Sequence, residues 1–224
     1  MIQNKRIFPG ELAMVLGLIL NSFGLSLMIK SDWGTSPISS LPLVLSQLFP
    51  FITLGTFTYI VQTLVILLLI LSTRIFKPGY LVSVALAVAF GYMVDFSTFV
   101  LSFFPNGLLL DAFYFALSMI MMSAGIGLLV RCRVPVLPFD TFTRDFSAHF
   151  SLSVKRVKTC FDLTCLILSL LLAAVGLHTV WGIGIGVGTI ISSLFTGLLV
   201  GAVCRYYGQL FHFEPHWDAL GKLS

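Results

Sequence analysis

Apolar runs of about 20 residues recur along this chain, and that repetition decides most of what it can fold into. A helix rising 1.5 Å per residue needs about that length to cross a hydrocarbon layer of roughly 30 Å. Six spans are predicted, over about 8–30, 52–73, 80–104, 108–131, 156–177 and 180–204. With 58% hydrophobic and 10% charged residues and a mean hydropathy of +1.03, 224 residues hold too little polar surface to cover a water-soluble core. The runs are continuous rather than alternating, which excludes a membrane β-barrel. The expected class is an all-α, polytopic membrane protein. Lys5 and Arg6 precede a full-length span that no small-residue cleavage site follows, so no cleavable signal peptide is expected.

Two stretches repeat one order of features. The first apolar strip starts its close at Gly24 and ends at Lys30. A polar turn, Asp32-Trp-Gly-Thr-Ser-Pro37, and a shorter apolar run follow it. The second stretch has Gly125, a basic stop at Arg131, a break and a restart at Pro138. The differences 125 − 24, 131 − 30 and 138 − 37 are all 101. Leu27 and Leu128 also match, and Ser40 corresponds in type to Thr141. This reads as a duplication. Residues 1–104 form a first repeat with a short helix over 36–50, and residues 105–205 a second with a short helix over 137–150; 206–224 are a tail. An odd number of spans per half turns the second unit upside down, giving six transmembrane helices as a 3+3 inverted repeat. Each short segment is either a broken, re-entrant half-helix or a capped helix lying at the interface.

Orientation follows from the basic residues. With a cytoplasmic N-terminus, that side receives Lys5, Arg6, Arg74, Lys77, Arg131, Arg133, Arg144, Lys155, Arg156, Lys158, Arg205 and Lys222, and the other side only Lys30. Twelve of thirteen on one side places both termini in the cytoplasm of a bacterial inner membrane. The formal charge of +4 is this topological bias, and nucleic acid is not an expected partner. Cys132, Cys160, Cys165 and Cys204 have no zinc spacing and read as packing residues, so neither a metal nor a cofactor is expected.

Polar residues inside the spans are the candidate site. Asn21 sits near the centre of span one, where it either bonds a neighbouring helix or meets a solute. Thr35, Ser36, Ser39 and Ser40 surround a Gly/Pro turn whose free N–H groups and hydroxyls suit an anion or carboxylate. Gln62 lies within span two and Asp95 within span three, an acid that is costly there unless paired, hydrated or protonated. Asp140 takes the place of Ser39 in the second repeat, next to Thr141. It either answers a helix N-terminus or meets a cationic group or a proton. Asp162 corresponds to Gln62 when one residue is gapped, yet it is also four residues from Lys158 and able to form a plain salt bridge. Phe139, Phe142, Phe146 and Phe150 recur at helical spacing, which an amphipathic surface helix explains as well as re-entry does. Span six carries a small-residue ridge, Gly184, Gly188, Ser192 and Thr196 with Gly197 and Gly201, able to pack internally or to form a homodimer.

The Leu-Met-Ile-Lys-Ser-Asp-Trp-Gly-Thr-Ser-Pro core ending at Pro37, with the glycine-rich Gly186-Val-Gly-Thr189, resembles the bacterial YczE/YyaS/YitT-type membrane proteins. The resemblance implies a small integral membrane protein with an internal repeat, some members being linked to regulation or to secreted lipopeptide production. Two functions are carried forward. One is a small-solute transporter or channel with a midplane site between the repeats; the other is a non-transporting adaptor or regulator of a partner enzyme or sensor. An enzyme is not expected, because His149, His178, His212 and His216 are scattered and form no constellation.

Overall fold

The computed structural model describes residues 6–132, 137–178 and 184–214. Lys5, Arg133, Trp181, His216 and Lys222, and the break running up to Val136, lie outside the described residues. Six helices are long and apolar enough to cross a membrane. They are α1 (Gly10–Lys30), α3 (Leu54–Thr73), α4 (Gly79–Ser102), α5 (Leu108–Arg131), α7 (Val154–Leu172) and α8 (Val187–Leu210). A π-helical turn, Ala173–Leu177, continues α7. Two short helices stand between spans, α2 (Pro37–Leu48) and α6 (Pro138–His149), each 12 residues long with proline in its first turn. That proline has the backbone angle a helix start needs and no N–H to leave unpaired there.

The same local chemistry starts the following span in each half. Thr53 caps α3 by accepting from the Thr56 N–H, and Ser153 caps α7 by accepting from the Arg156 N–H. The sixth span differs from its predicted 180–204. It starts at Val187 and runs beyond Arg205 to Leu210, because a lone arginine near a helix end can reach the interface without stopping the helix.

Packing follows a pattern. α1 lies along α5, α1 also packs on α4 and α5 on α8; α2 packs on α7 and α3 on α6; α2 meets α3 and α6 meets α7. α3 also lies along α4, and α7 makes no comparable pairing with α8. Glycine permits the α1–α5 approach: a methyl group on Gly125 would stand 2.9 Å from the Gly17 carbonyl, and one on Gly17 3.1 Å from the Gly125 carbonyl. Hydroxyls join α1 to α4, with Ser26 Oγ 2.6 Å from Ser97 Oγ and Ser97 donating to the Ser22 carbonyl at 3.2 Å. Such bonds hold spans together where burial of apolar surface cannot distinguish protein from lipid.

The phenylalanines of α6 turn inward. Phe142 stacks on Phe146 and meets Phe161 of α7 at 5.0 Å, and Phe139 meets the same ring at 5.7 Å. The apolar face of α6 therefore covers protein, not lipid. The ridge on α8 divides. Gly188 and Ser192 are buried against the turn before α2, and the Thr196 hydroxyl meets the Met119 sulfur at 4.0 Å, whereas a methyl added to Gly197 or Gly201 would meet nothing within 4 Å.

At the far ends of the chain, β1 (Arg6–Pro9) pairs in parallel with β2 (Phe211–Glu214), Arg6 opposite Phe211. The first and last described segments therefore share one face of the bundle.

Candidate functional site

A cavity of about 100 Å³ lies among the helices of the bundle. Asn21 and Leu25 of α1, Thr58 and Gln62 of α3, Phe90 of α4 and Met122, Ile126 and Leu129 of α5 form its wall. Both short helices reach it with their first turns, α2 through Ile38 and Ser39 and α6 through Phe139 and Asp140. Lys158 of α7 completes the polar lining.

Four predicted residues meet there: Asn21, Ser39, Gln62 and Asp140. Asn21 donates through Nδ2 to the Gly17 carbonyl at 3.1 Å, within its own helix, so it does not join α1 to a neighbour. Ser39 accepts from Ser36 Oγ at 2.9 Å. Gln62 is 1% exposed, and its Oε1 is buried without a hydrogen-bond partner. A buried amide oxygen left unpaired is costly, and such a group calls for a partner the protein itself does not supply.

Asp140 has no hydrogen bond or ion pair to its carboxylate among the described residues. The side chain keeps some free surface, but that surface opens on the cavity. Burial pushes its carboxyl above the ordinary 3.8, against the opposing pull of Lys158 and Arg144.

The other predicted residues lie elsewhere. Thr35 gives both its N–H and its hydroxyl to the Gly184 carbonyl, at 2.8 and 3.1 Å. The N–H groups of Ser39 and Ser40 both turn back to the Ser36 carbonyl, at 3.0 and 3.1 Å. The anion pocket expected from free N–H groups is thus largely consumed by the turn itself. Ser40 bonds Ser169 of α7 at 2.7 Å and Thr141 bonds Ser83 of α4 at 3.2 Å, so each fastens a short helix to a span.

Asp95 is a correction to the sequence reading. Its carboxylate accepts from Thr53 Oγ1 and from the Gly55 N–H, both at 2.7 Å, and it sits at the N-terminus of α3 away from the cavity. An anion there is favoured by the unpaired N–H groups of the helix start. Asp162 stands beside the cavity: Oδ2 is 3.9 Å from Lys158 Nζ, and Oδ1 is buried and unpartnered.

Sequence reasoning missed Lys158 as a lining residue, having paired it with Asp162 alone. It also passed over Asp145. That carboxylate, 8% exposed, accepts from Lys77 at 3.0 Å, Tyr80 Oη at 2.9 Å and Arg144 Nε at 3.0 Å. Burial works to raise its carboxyl, but the hydrogen bonds of Lys77 and Arg144, the Arg144 charge and the Tyr80 hydroxyl outweigh burial and hold it below 3.8. Asp145 thereby locks α6 to the start of α4.

The sign of the linkage follows. A carboxyl held low in the folded state adds stability above its unfolded value and loses it as the pH falls through the folded value. Asp145→Asn is expected to cost about 1–2 kcal/mol near neutral pH, since Lys77 and Arg144 are half exposed and screened by water. The gap from the natural protein should close below 3.8; melting curves from neutral pH downward in detergent measure both.

The motifs that carry the family resemblance meet in space. Besides the Thr35–Gly184 bonds, the Gly188 N–H donates to the Trp33 carbonyl at 2.8 Å and Ser192 Oγ to the Thr35 carbonyl at 3.4 Å. The Trp33–Pro37 turn and the Gly186–Thr189 start of α8 form one clasp between the halves.

Comparison with known proteins gives three findings. The family of unknown function DUF6198 matches residues 8–205. The chain is 29% identical over 191 residues to the "Uncharacterized membrane protein YczE" of Bacillus subtilis (strain 168), covering 82% of this chain and 80% of the relative. It is 25% identical over 190 residues to the "Uncharacterized protein YyaS" of the same organism, covering 83% and 87%. No solved structure matches it.

Proposed function

The chain belongs to the family of unknown function DUF6198, with relatives of YczE and YyaS type, and from that premise we propose that this multi-pass membrane protein is a small-solute transporter or channel built as an inverted repeat. The observation that carries the reading is the cavity among the helices, which draws polar side chains from both halves and receives the first turns of both short helices. Helices interrupted at the membrane midplane, with their N-terminal turns on a cavity, are the usual way for such repeats to build a solute site.

Several features support the repeat. α5 ends 101 residues after α1, α6 starts and ends 101 after α2 (Pro138 against Pro37, His149 against Leu48), and α7 starts 100 after α3. Exchanging the two halves maps the α1–α4 pairing onto α5–α8 and the α2–α7 pairing onto α3–α6. The positions of Gln62 and Asp162 then correspond, and each holds a buried oxygen without a partner. We place both termini on the cytoplasmic side of the inner membrane, on the basic-residue bias, and assign the protein no enzymatic chemistry. The unfilled space beside Gly197 and Gly201 is the surface a homodimer would use.

Labelling tests the reading. In a variant without Cys132, Cys160, Cys165 and Cys204, Ser39→Cys is expected to react with a small membrane-impermeant thiol reagent added from either face of sealed vesicles. Phe51→Cys, at an exposed outer end, should react from one face only. Reaction of Ser39→Cys from a single face, or from neither, would leave no pathway through the cavity and return the assignment to an adaptor or regulator of a membrane partner.

A further inference from the structure

Around the cavity two carboxylates, Asp140 in its lining and Asp162 next to Lys158, face one lysine among the described residues, and we infer that the cavity receives a small organic cation, an ammonium ion bearing a short apolar group. The inference rests on reading the cavity as a solute site and names the class of solute.

The charges around the cavity do not balance. The Asp140 carboxylate has no hydrogen bond or ion pair among the described residues, and Asp162 has one buried, unpartnered oxygen and a loose 3.9 Å contact to Lys158. The two carboxylates are close enough to act on each other. Against them stands Lys158, whose side chain is half exposed. Arg144 also acts on Asp140, but its Nε is held by Asp145 at 3.0 Å, and Lys77 is held there too. Two carboxylates share one ammonium. A buried carboxylate persists only when it is paired, hydrogen-bonded or neutralised.

The neutral groups point the same way. Gln62 presents a buried oxygen with no donor. Pro42, within α2, has no N–H for the Ile38 carbonyl, and both residues line the cavity. Asn21 has given an amide hydrogen to Gly17 and retains its carbonyl oxygen. These are acceptors, and a cationic N–H is their strongest complement. Most of the remaining wall is apolar and includes the rings of Phe90 and Phe139, which suit an alkyl group and the edge of an ammonium charge. No group of three His, Cys, Asp or Glu side chains able to hold a metal ion is present among the described residues. The carboxylates provide the charge, and the apolar wall selects an organic carrier for it.

The test uses three small probes of different charge, ethylammonium chloride, sodium acetate and propionamide, at constant ionic strength. Each is titrated during thermal unfolding of the purified full chain in detergent; a ligand that binds only the folded state raises its melting temperature. Only ethylammonium is expected to give a saturable rise. Its apparent Kd should weaken at least tenfold in Asp140→Asn, whose own melting transition reports that it is folded. It should tighten in Lys158→Gln, where the competing ammonium is gone. A rise with acetate or propionamide but not ethylammonium overturns the cation and leaves a solute site in place. An ethylammonium rise unchanged in both variants puts binding elsewhere and also overturns it. If no probe gives a rise, the inference fails, and the solute-site reading stands or falls separately on the labelling of Ser39→Cys.

Discussion

On the proposed transport reading, Asp140→Asn is expected to melt at a higher temperature than the natural protein and to lose solute uptake. The two effects have one cause. Burial raises the Asp140 carboxyl above 3.8, so its ionised form is disfavoured in the folded chain. For an acid raised on folding, the penalty begins as the pH passes the unfolded value, grows through the folded value and is complete above it. Asparagine removes that penalty and keeps a polar group in the first turn of α6. Each kcal/mol recovered is worth about 2–4 °C in a domain of this size. The gain should be present at neutral pH and vanish below 3.8, the opposite of the pattern expected for Asp145→Asn five residues along the same helix. Measuring uptake in vesicles beside melting in detergent separates the outcomes. A variant less stable than the natural protein at neutral pH, with uptake intact, would mean that Asp140 is an ordinary structural residue.

A large structural effect is expected at Gly34. Its φ of +137° is one that other residues rarely adopt, and an added methyl would stand 2.5 Å from the Thr189 nitrogen and 2.7 Å from the Thr189 hydroxyl. Backbone strain of this kind costs about 1–3 kcal/mol by itself, and displacing α8 adds to it. Gly34→Ala should therefore lose at least about 3 kcal/mol, seen as a fall in melting temperature and in the yield of folded protein. Gly201→Ala, where nothing lies within 4 Å, is the matched control and should be neutral or slightly stabilising. Equal behaviour of the two variants would mean that the clasp does not hold the halves together.

The spans were legible because hydrophobic length is a property of local composition. Five of the six start within two residues of the reading, and the fifth span ends at Leu177 through its π turn. The sixth was displaced because the clasp, a contact between residues about 150 positions apart, fixes where α8 starts, and no local pattern encodes such a contact. The cavity lining was legible where a polar residue stood alone in an apolar run, as Asn21 and Gln62 do. It was misread where several polar residues were adjacent. Thr35, Ser40 and Thr141 look as available in sequence as Ser39 and Asp140, and only packing decides which face a helix neighbour and which face the cavity. Asp95 misled for a related reason: its depth within α4 is visible in sequence, but the start of α3 beside it is not. Lys158 was passed over because Asp162, four residues on, explained it too cheaply, and Asp145 because Lys77 and Tyr80 stand 68 and 65 residues away in sequence.

The strand pair joining Arg6 to Phe211 also bears on how the protein is made. Its two partners are the first and last described segments to leave the ribosome, so the pair stays open until all six spans have been synthesised. Until then α1 is held mainly by its lateral contacts with α4 and α5. Closing the seam ends that period. The chain thus carries a record of completed insertion at the membrane face where it began.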